Sequence, residues 1–349
     1  MRANRAAGPG RQRAEPRALN EETAIKAVLC KAFTGVDDLV FAEIDPPTLG
    51  EGEIRVAMRA AALNFMDILV VQGRYQLKPP LPFAAGSDGA GEVREVGPGV
   101  TRFKPGDRVG VGAFFGAFAQ EMVVPAAHAF AIPDGVDYPQ AAAYRSSYGT
   151  SHYALVDRGR LQAGETLLVH GAAGGLGLSA VELGVLLGAR VIGTVGSEEK
   201  MAIVREYGAE HVIDYSSENF RERVKELTDG KGADVIYDVV GGDVFDQSLR
   251  CINWGGRLLV IGFTSGRIPS APANLPLLKS CSIVGVFYGA WILRDPEAAA
   301  AMHATLLGWL EQKRLRPHIC KTLPLEKAAE GLNLLVQRKA TGKVVLEIP

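Results

Sequence analysis

Residues 168–177 read LVHGAAGGLG. The apolar Leu167, Leu168 and Val169 break into a glycine-rich turn, and the turn opens the apolar segment LGLSAVELGVLLG. A strand, a glycine turn and a helix in succession present backbone amides and the positive end of a helix dipole to a phosphate. The dinucleotide fingerprint G-x-G-x-x-G uses its first glycine for the tight turn, its second for close approach to the pyrophosphate and its third for helix–strand packing. Gly174 and Gly177 fill the second and third places, whereas Ala172 stands in the first and Gly171 lies one residue early. Taken alone, the stretch fits a purely structural turn as well as a nucleotide site.

The surroundings favour a nucleotide. After about Thr150, strand-like ETLLVH, ARVIGTV, AEHVIDY, ADVIYDVV and GRLLVIG alternate with helical segments, and CSIVGVFYG supplies a sixth strand. This alternation predicts βαβ units and a doubly wound parallel sheet, with the glycine turn after its first strand, where such folds hold phosphate. From Ile25 to about Pro133, short alternating runs such as GEIRVAMRAAALN, GAGEVREVG and FAQEMVVP are broken by Gly, Pro and Asp. That rhythm predicts an antiparallel barrel or sandwich. The tail 295–349 reads as one or two amphipathic helices and a final extended GKVVLEI.

The bulk numbers are compatible with two such domains. The chain has 349 residues, 47% hydrophobic and 22% charged, with a formal net charge of −1. Nothing in that balance points to nucleic acid as a partner. Cys30, Cys251, Cys281 and Cys320 are widely spaced and form no CxxC, which argues against a disulfide framework or structural zinc. The least charged stretch, about 167–196, carries His170, Glu182, Arg190 and several glycines, which argues against a membrane span. Residues 1–22 are rich in Arg, Gly, Pro and Ala and read as a disordered tail of a cytoplasmic protein. The alternative is a mitochondrial transit segment.

The second strand of the parallel sheet selects the dinucleotide. An NAD site places an acid at its end to bind the ribose hydroxyls. Here Gly196 and Ser197 stand there, with Lys200 and Tyr215 able to close the same pocket, and Glu198 and Glu199 fit the first turn of the next helix. The expected cofactor is NADP.

From about Thr23 onward the chain resembles a medium-chain dehydrogenase/reductase. The resemblance rests on VGPGVTRFKPGDRV, FAQEMVVP, AAGGLG and GKVVL. NFMD at Asn64–Asp67, GRY ending at Tyr75 and GSDGAG at Gly86–Gly91 make it similar to the zinc-free quinone oxidoreductase (zeta-crystallin-like) group. The resemblance implies a Rossmann domain over 150–289 and a GroES-like barrel over 23–149 and 290–349. It also implies a homodimer or higher homo-oligomer paired through the last strand of the nucleotide sheet. In the superfamily's alcohol dehydrogenases, zinc-ligating Cys and His fall at the NFMD stretch and at Ser87, and Asn and Ser are poor zinc ligands.

Without a metal, hydride transfer needs an acceptor that is already electrophilic, such as a quinone or an α,β-unsaturated carbonyl. Rival readings are an enoyl-thioester reductase and an NADP-binding, possibly RNA-associated protein with little catalysis. By position the resemblance places Ala173, Gly174, Gly175 and Leu176 at the pyrophosphate. Val240, Gly262, Phe263, Val286, Phe287, Tyr288 and Lys343 then lie along the rest of the cofactor. Asn64, Tyr75 and Thr150 are the candidate catalytic residues, with the Asn64 amide as oxyanion donor and Tyr75 also able to meet the cofactor. Each has a plain structural alternative: Asn64 a cap, Tyr75 packing at the cleft lip, Thr150 a helix start. Asp67 fits a dipole partner at a helix start. Leu69 supplies an apolar wall where simple quinone reducers often carry tyrosine. Arg145 departs from the small or apolar residues of the group and reads as a surface arginine, with an anionic substrate group as the alternative.

Overall fold

The computed structural model describes residues 23–349, so the reading of 1–22 as tail or transit segment lies outside the described residues. The chain opens with β1 (Ile25–Cys30), β2 (Val40–Ile44) and the long β3 (Glu53–Ala62). Helix α1 (Phe65–Val71) follows, then β4 (Phe83–Ala84), β5 (Asp88–Val96), β6 (Arg108–Gly112), β7 (Glu121–Pro125) and β8 (Ala129–Ala131). Along β3 the side chains alternate: Ile54, Val56 and Met58 are buried, while Arg55 pairs with Glu95 and Glu121 on the opposite face. Those apolar residues form a barrel core with Val93, Val109, Val111 and Phe118.

Helix α2 (Tyr138–His152) crosses to the second half, capped by Asp137, and the expected domain boundary at 149/150 falls within its last turn. Then β9 (Thr166–Val169), α3 (Gly175–Leu186), β10 (Arg190–Val195), α4 (Met201–Glu206), β11 (His211–Asp214) and α5 (Phe220–Leu227) alternate. They are followed by β12 (Ala233–Asp238), α6 (Gly242–Cys251), β13 (Ile252–Val260), α7 (Asn274–Lys279) and β14 (Ser282–Gly285). The six strands are parallel, in the order β11-β10-β9-β12-β13-β14. The order reverses beside β9, and the glycine turn opens at that switch point, where ligands collect in open α/β sheets. The fold is thus a Rossmann sheet joined to a GroES-like barrel.

The end of the chain departs from its reading. Helices α8 (Tyr288–Arg294), α9 (Pro296–Glu311) and α10 (Ala328–Val336) are present, but a strand, β15 (Ile319–Pro324), precedes α10. It pairs in parallel with β16 (Lys343–Glu347), and β16 pairs with β3. The short ICKTLP run carries little apolar alternation, so its strand state depends on a neighbour 23 residues later. This return places Lys343 beside Asn64: β16 runs antiparallel to β3 with Val345 opposite Ala62, and Leu63 N–H donates to Val344 O. The β3–β5 register sets Ala62 opposite Asp88, bringing Ser87 and Asp88 to the same edge.

Candidate active site

The glycine turn is held at both ends. Gly171 adopts φ 63°, a conformation that strongly favours glycine, and Gly342 N–H donates to Ala173 O at 2.7 Å. A Cβ on Gly177 would lie 2.1 Å from Gly171 O, so the third glycine is required for helix and turn to pack. A Cβ on Gly174 would meet only Gly171 O at 3.4 Å, and its φ of −79° is open to any residue. Gly174 therefore has no structural need to be glycine. It is the N-cap of α3 and brings no capping side chain, leaving the first-turn amides of Gly175 and Leu176 without intrahelical acceptors. Gly175 rests on the Lys343 stem.

At the end of β10, Gly196 is exposed, and a Cβ there would come within 2.6 Å of the Tyr215 hydroxyl. Ser197 precedes a 3-10 turn without capping it, and Glu198 and Glu199 are exposed first-turn acids, as read from the sequence. Lys200 Nζ donates to Arg338 O at 2.5 Å. Arg338 was not anticipated: it comes from the turn after α10 and donates to Thr264 O. On the far side of β9, Val240 follows β12, where Asp238 accepts its N–H. A Cβ on Gly262 would approach Val239 O, and Phe263 lies against Gly241. Val286 hydrogen-bonds back to Val260 O, and Phe287 is exposed.

Across the cleft, the barrel contributes a buried polar network. Asn64 is the N-cap of α1 in a capping box with Asp67. Its Nδ2 donates to Ser87 Oγ and Asp88 Oδ2, both at 3.0 Å, and its Oδ1 accepts from Lys343 Nζ at 2.5 Å. Both amide hydrogens are therefore engaged, which corrects the view of Asn64 as a free oxyanion donor: neighbouring buried acceptors took them. Lys343 Nζ also donates to Leu63 O, and burial pulls its pKa down against the upward pull of Asp88 and Asp67. Lys343 thus lies beneath the turn in the barrel network. Burial pushes the Asp67 carboxyl up to about 7, opposed by Ser87 and the Asn64 amide.

Tyr75 packs on Phe114, and its hydroxyl makes no hydrogen bond among the described residues. Burial raises its pKa, so at neutral pH it keeps its proton. A Cβ on Gly289 would touch Phe287, Phe114 and the Tyr75 hydroxyl, which places these groups at one end of the cleft. Leu69 carries the chain there, its carbonyl accepting from Tyr75 N–H. Thr150 lies in the last turn of α2 and does not start a helix. Tyr288 turns inward, its hydroxyl 2.7 Å from His303 Nε2. His303 Nδ1 in turn meets the Tyr144 hydroxyl at 3.1 Å. His170 is a core residue between Thr194 and Ser248, held neutral by burial with a pKa near 3. Arg145 is not a surface arginine: its side chain is only 14% exposed, 3.8 Å from Asp88.

The Asp67 environment sets a pH dependence. Between its ordinary value of 3.8 and about 7, folded protein holds a proton that unfolded protein releases. Stability contributed by this group therefore falls as pH rises through that window. Asp67→Asn keeps a carbonyl acceptor for Asn64 N–H and removes the titration. Urea midpoints of the two proteins from pH 4 to 8 should diverge in the variant's favour as pH rises, whereas a constant difference would refute the assignment.

Residues 50–134 match the alcohol dehydrogenase GroES-like domain, and residues 175–305 match the zinc-binding dehydrogenase family. A quinone oxidoreductase-like protein 2 homolog of Nematostella vectensis is 44% identical, with 92% of this chain and 88% of that one aligned. A quinone oxidoreductase of Pseudomonas aeruginosa is 40% identical over 92% of this chain and 99% of its own. The Escherichia coli quinone oxidoreductase, solved in complex with NADPH, superposes with a TM-score of 0.86 at 31% identity, covering 93% of this chain and 99% of that one. The chain belongs to the medium-chain dehydrogenase/reductase superfamily and, within it, to the quinone oxidoreductase group.

Proposed function

We propose that this protein is an NADPH-dependent oxidoreductase that reduces quinones or α,β-unsaturated carbonyls without a metal. The observation that carries the reading is the end of β10. Gly196, Ser197, Tyr215 and Lys200 gather there, and no acid occupies the position where an NAD site binds its ribose. Ser197 and Lys200 suit a 2′-phosphate, and the uncapped start of α3 suits a pyrophosphate. The Escherichia coli relative solved with NADPH supports the same choice.

Bound NADPH supplies the hydride. The chain's part is to orient the acceptor and stabilise the negative charge that develops on its oxygen. Tyr75, protonated and without a hydrogen-bond partner among the described residues, is the foremost donor, and Thr150 the second. Asn64 is a positioning residue that holds Lys343 and Asp88 in place. At the sites where related alcohol dehydrogenases carry zinc-binding Cys and His, this chain has Asn64 and Ser87, already hydrogen-bonded to each other. That donor set suits an acceptor that needs no Lewis acid. For assembly, the exposed edge of β14 beside exposed Leu277 and Leu278 of α7 favours pairing with a second copy.

Four measurements bear on this reading. NADPH should bind at least tenfold more tightly than NADH, a gap of about 1.4 kcal/mol, and equal affinities would sink the assignment. Gly174→Ala should fold with an unchanged melting temperature yet lose most NADPH affinity, because its Cβ has room in the protein and none beside a pyrophosphate. Tyr75→Phe should slow single-turnover NADPH oxidation by roughly 10²-fold while leaving cofactor affinity intact; a full-speed variant would remove Tyr75 from the chemistry. Light scattering at micromolar concentration should give a dimer or larger mass, and a monomer would reject the pairing.

A further inference from the structure

Arg145 lies beside Asp88 and has no part in the proposed reduction. Its side chain is 14% exposed, yet among the described residues its guanidinium donates no hydrogen bond. Its nearest opposite charge, Asp88 Oδ1, stands 3.8 Å away, beyond hydrogen-bond reach. That oxygen is itself buried without a hydrogen-bond partner. A guanidinium cannot give up its charge, and a charged donor with no protein acceptor is open to one that a ligand brings. Two facing groups that both fall short of a bond leave donor capacity for something that enters from outside.

The surroundings hold the guanidinium in place, with Asp88 as its facing carboxylate. A Cβ on Gly112 would come within 2.0 Å of Nη1, so glycine at the end of β6 leaves room for the guanidinium in this position. Arg145 also acts electrostatically on Tyr288, His303 and His128. Burial raises Tyr288 to about 12 and lowers His303 to about 3, with His128 also lowered, so these neighbours are uncharged at neutral pH. Asp67 is neutral below about pH 7. Arg145 keeps its charge, so a fixed cation stands among tyrosine and histidine neighbours that are neutral. Tyr288 adjoins Phe287 and Gly289, which meet Tyr75 and Phe114, so the guanidinium borders the acceptor end of the cleft.

We propose that Arg145 is a specificity-determining residue that binds a carboxylate on the acceptor, so that the preferred substrates are conjugated carbonyls or quinones bearing an acid group. The planar fork of the guanidinium matches a carboxylate in a way that no neutral acceptor can use. The inference rests on the reading of this cleft as a reductase site, and the experiment separates the two.

The probes are 3-benzoylacrylate, a conjugated ketone with a carboxylate, and its methyl ester, with the saturated 3-benzoylpropionate and its ester for binding. Calorimetry on the NADPH-loaded full chain should show 3-benzoylpropionate binding about tenfold or more tightly than its ester. Arg145→Met should abolish that gap, and Arg145→Lys should retain part of it. In turnover, the acid-to-ester ratio of kcat/KM should fall at least tenfold in Arg145→Met, with NADPH affinity within twofold of wild type. Equal binding of acid and ester by wild type, a gap that survives Arg145→Met, or a loss of NADPH affinity in its place would overturn the proposal. The wild-type comparison and Arg145→Lys decide the matter even if Arg145→Met does not fold. An Arg145-dependent gap without turnover of either acceptor would uphold the anion site and refute the reductase reading. Turnover with no gap would do the reverse.

Discussion

A buried lysine ties the two halves of this molecule together. Lys343 has lost nearly all contact with water, and an isolated ammonium in that position would cost several kcal/mol. The cost is offset by Leu63 O, by Asn64 Oδ1 and by the pull of nearby Asp88. Its backbone N–H donates to His318 O, and the preceding Gly342 N–H donates to Ala173 O of the glycine turn. One dipeptide therefore links the last barrel strand, the start of α1 and the phosphate turn. Displacing any of the three leaves a buried charge or a buried donor uncompensated.

That constraint explains why the barrel face of the cleft is rigid and polar at its base. Asn64 bonds Ser87, Asp88 Oδ2 and Lys343, so its amide belongs to a floor rather than to a set of free donors, while Asp88 Oδ1 is left without a hydrogen-bond partner. The Tyr75 hydroxyl and the Arg145 guanidinium keep donor capacity that no described residue takes up. The division separates residues that hold the cleft in shape from residues able to meet a ligand. It also fits a site whose chemistry is positioning and charge stabilisation, where preorganised donors count for more than reactive side chains.

The tyrosine–histidine chain beneath the cleft has a related role. Tyr288, His303 and Tyr144 bond in series between α2, α8 and α9, and burial keeps all of them neutral at ordinary pH. The helices that return from the nucleotide sheet are thereby anchored to α2 by hydrogen bonds as well as by packing. This anchoring sets the position of Phe287 and Gly289 opposite Tyr75 and Phe114.

The amino-acid sequence by itself determined the alternation of strands and helices from Thr166 to Gly285, because each βα unit there carries its own periodicity and its own turn residues. It also determined the glycine turn and the Gly196-Ser197 pair that stands after β10 where an NAD site has its acid, which are properties of neighbouring residues. Tertiary structure alone decided the rest. The strand β15 exists through a partner far along the chain, Arg338 reaches Lys200 from a turn after α10, and Lys343 meets Asn64 across 279 positions. Arg145 looked like a surface residue and Asn64 like a free donor, since burial and the identity of a side chain's partners are set by which distant segments pack together. No local pattern of residues encodes that proximity; it comes from strand register and from the need to satisfy each buried polar group.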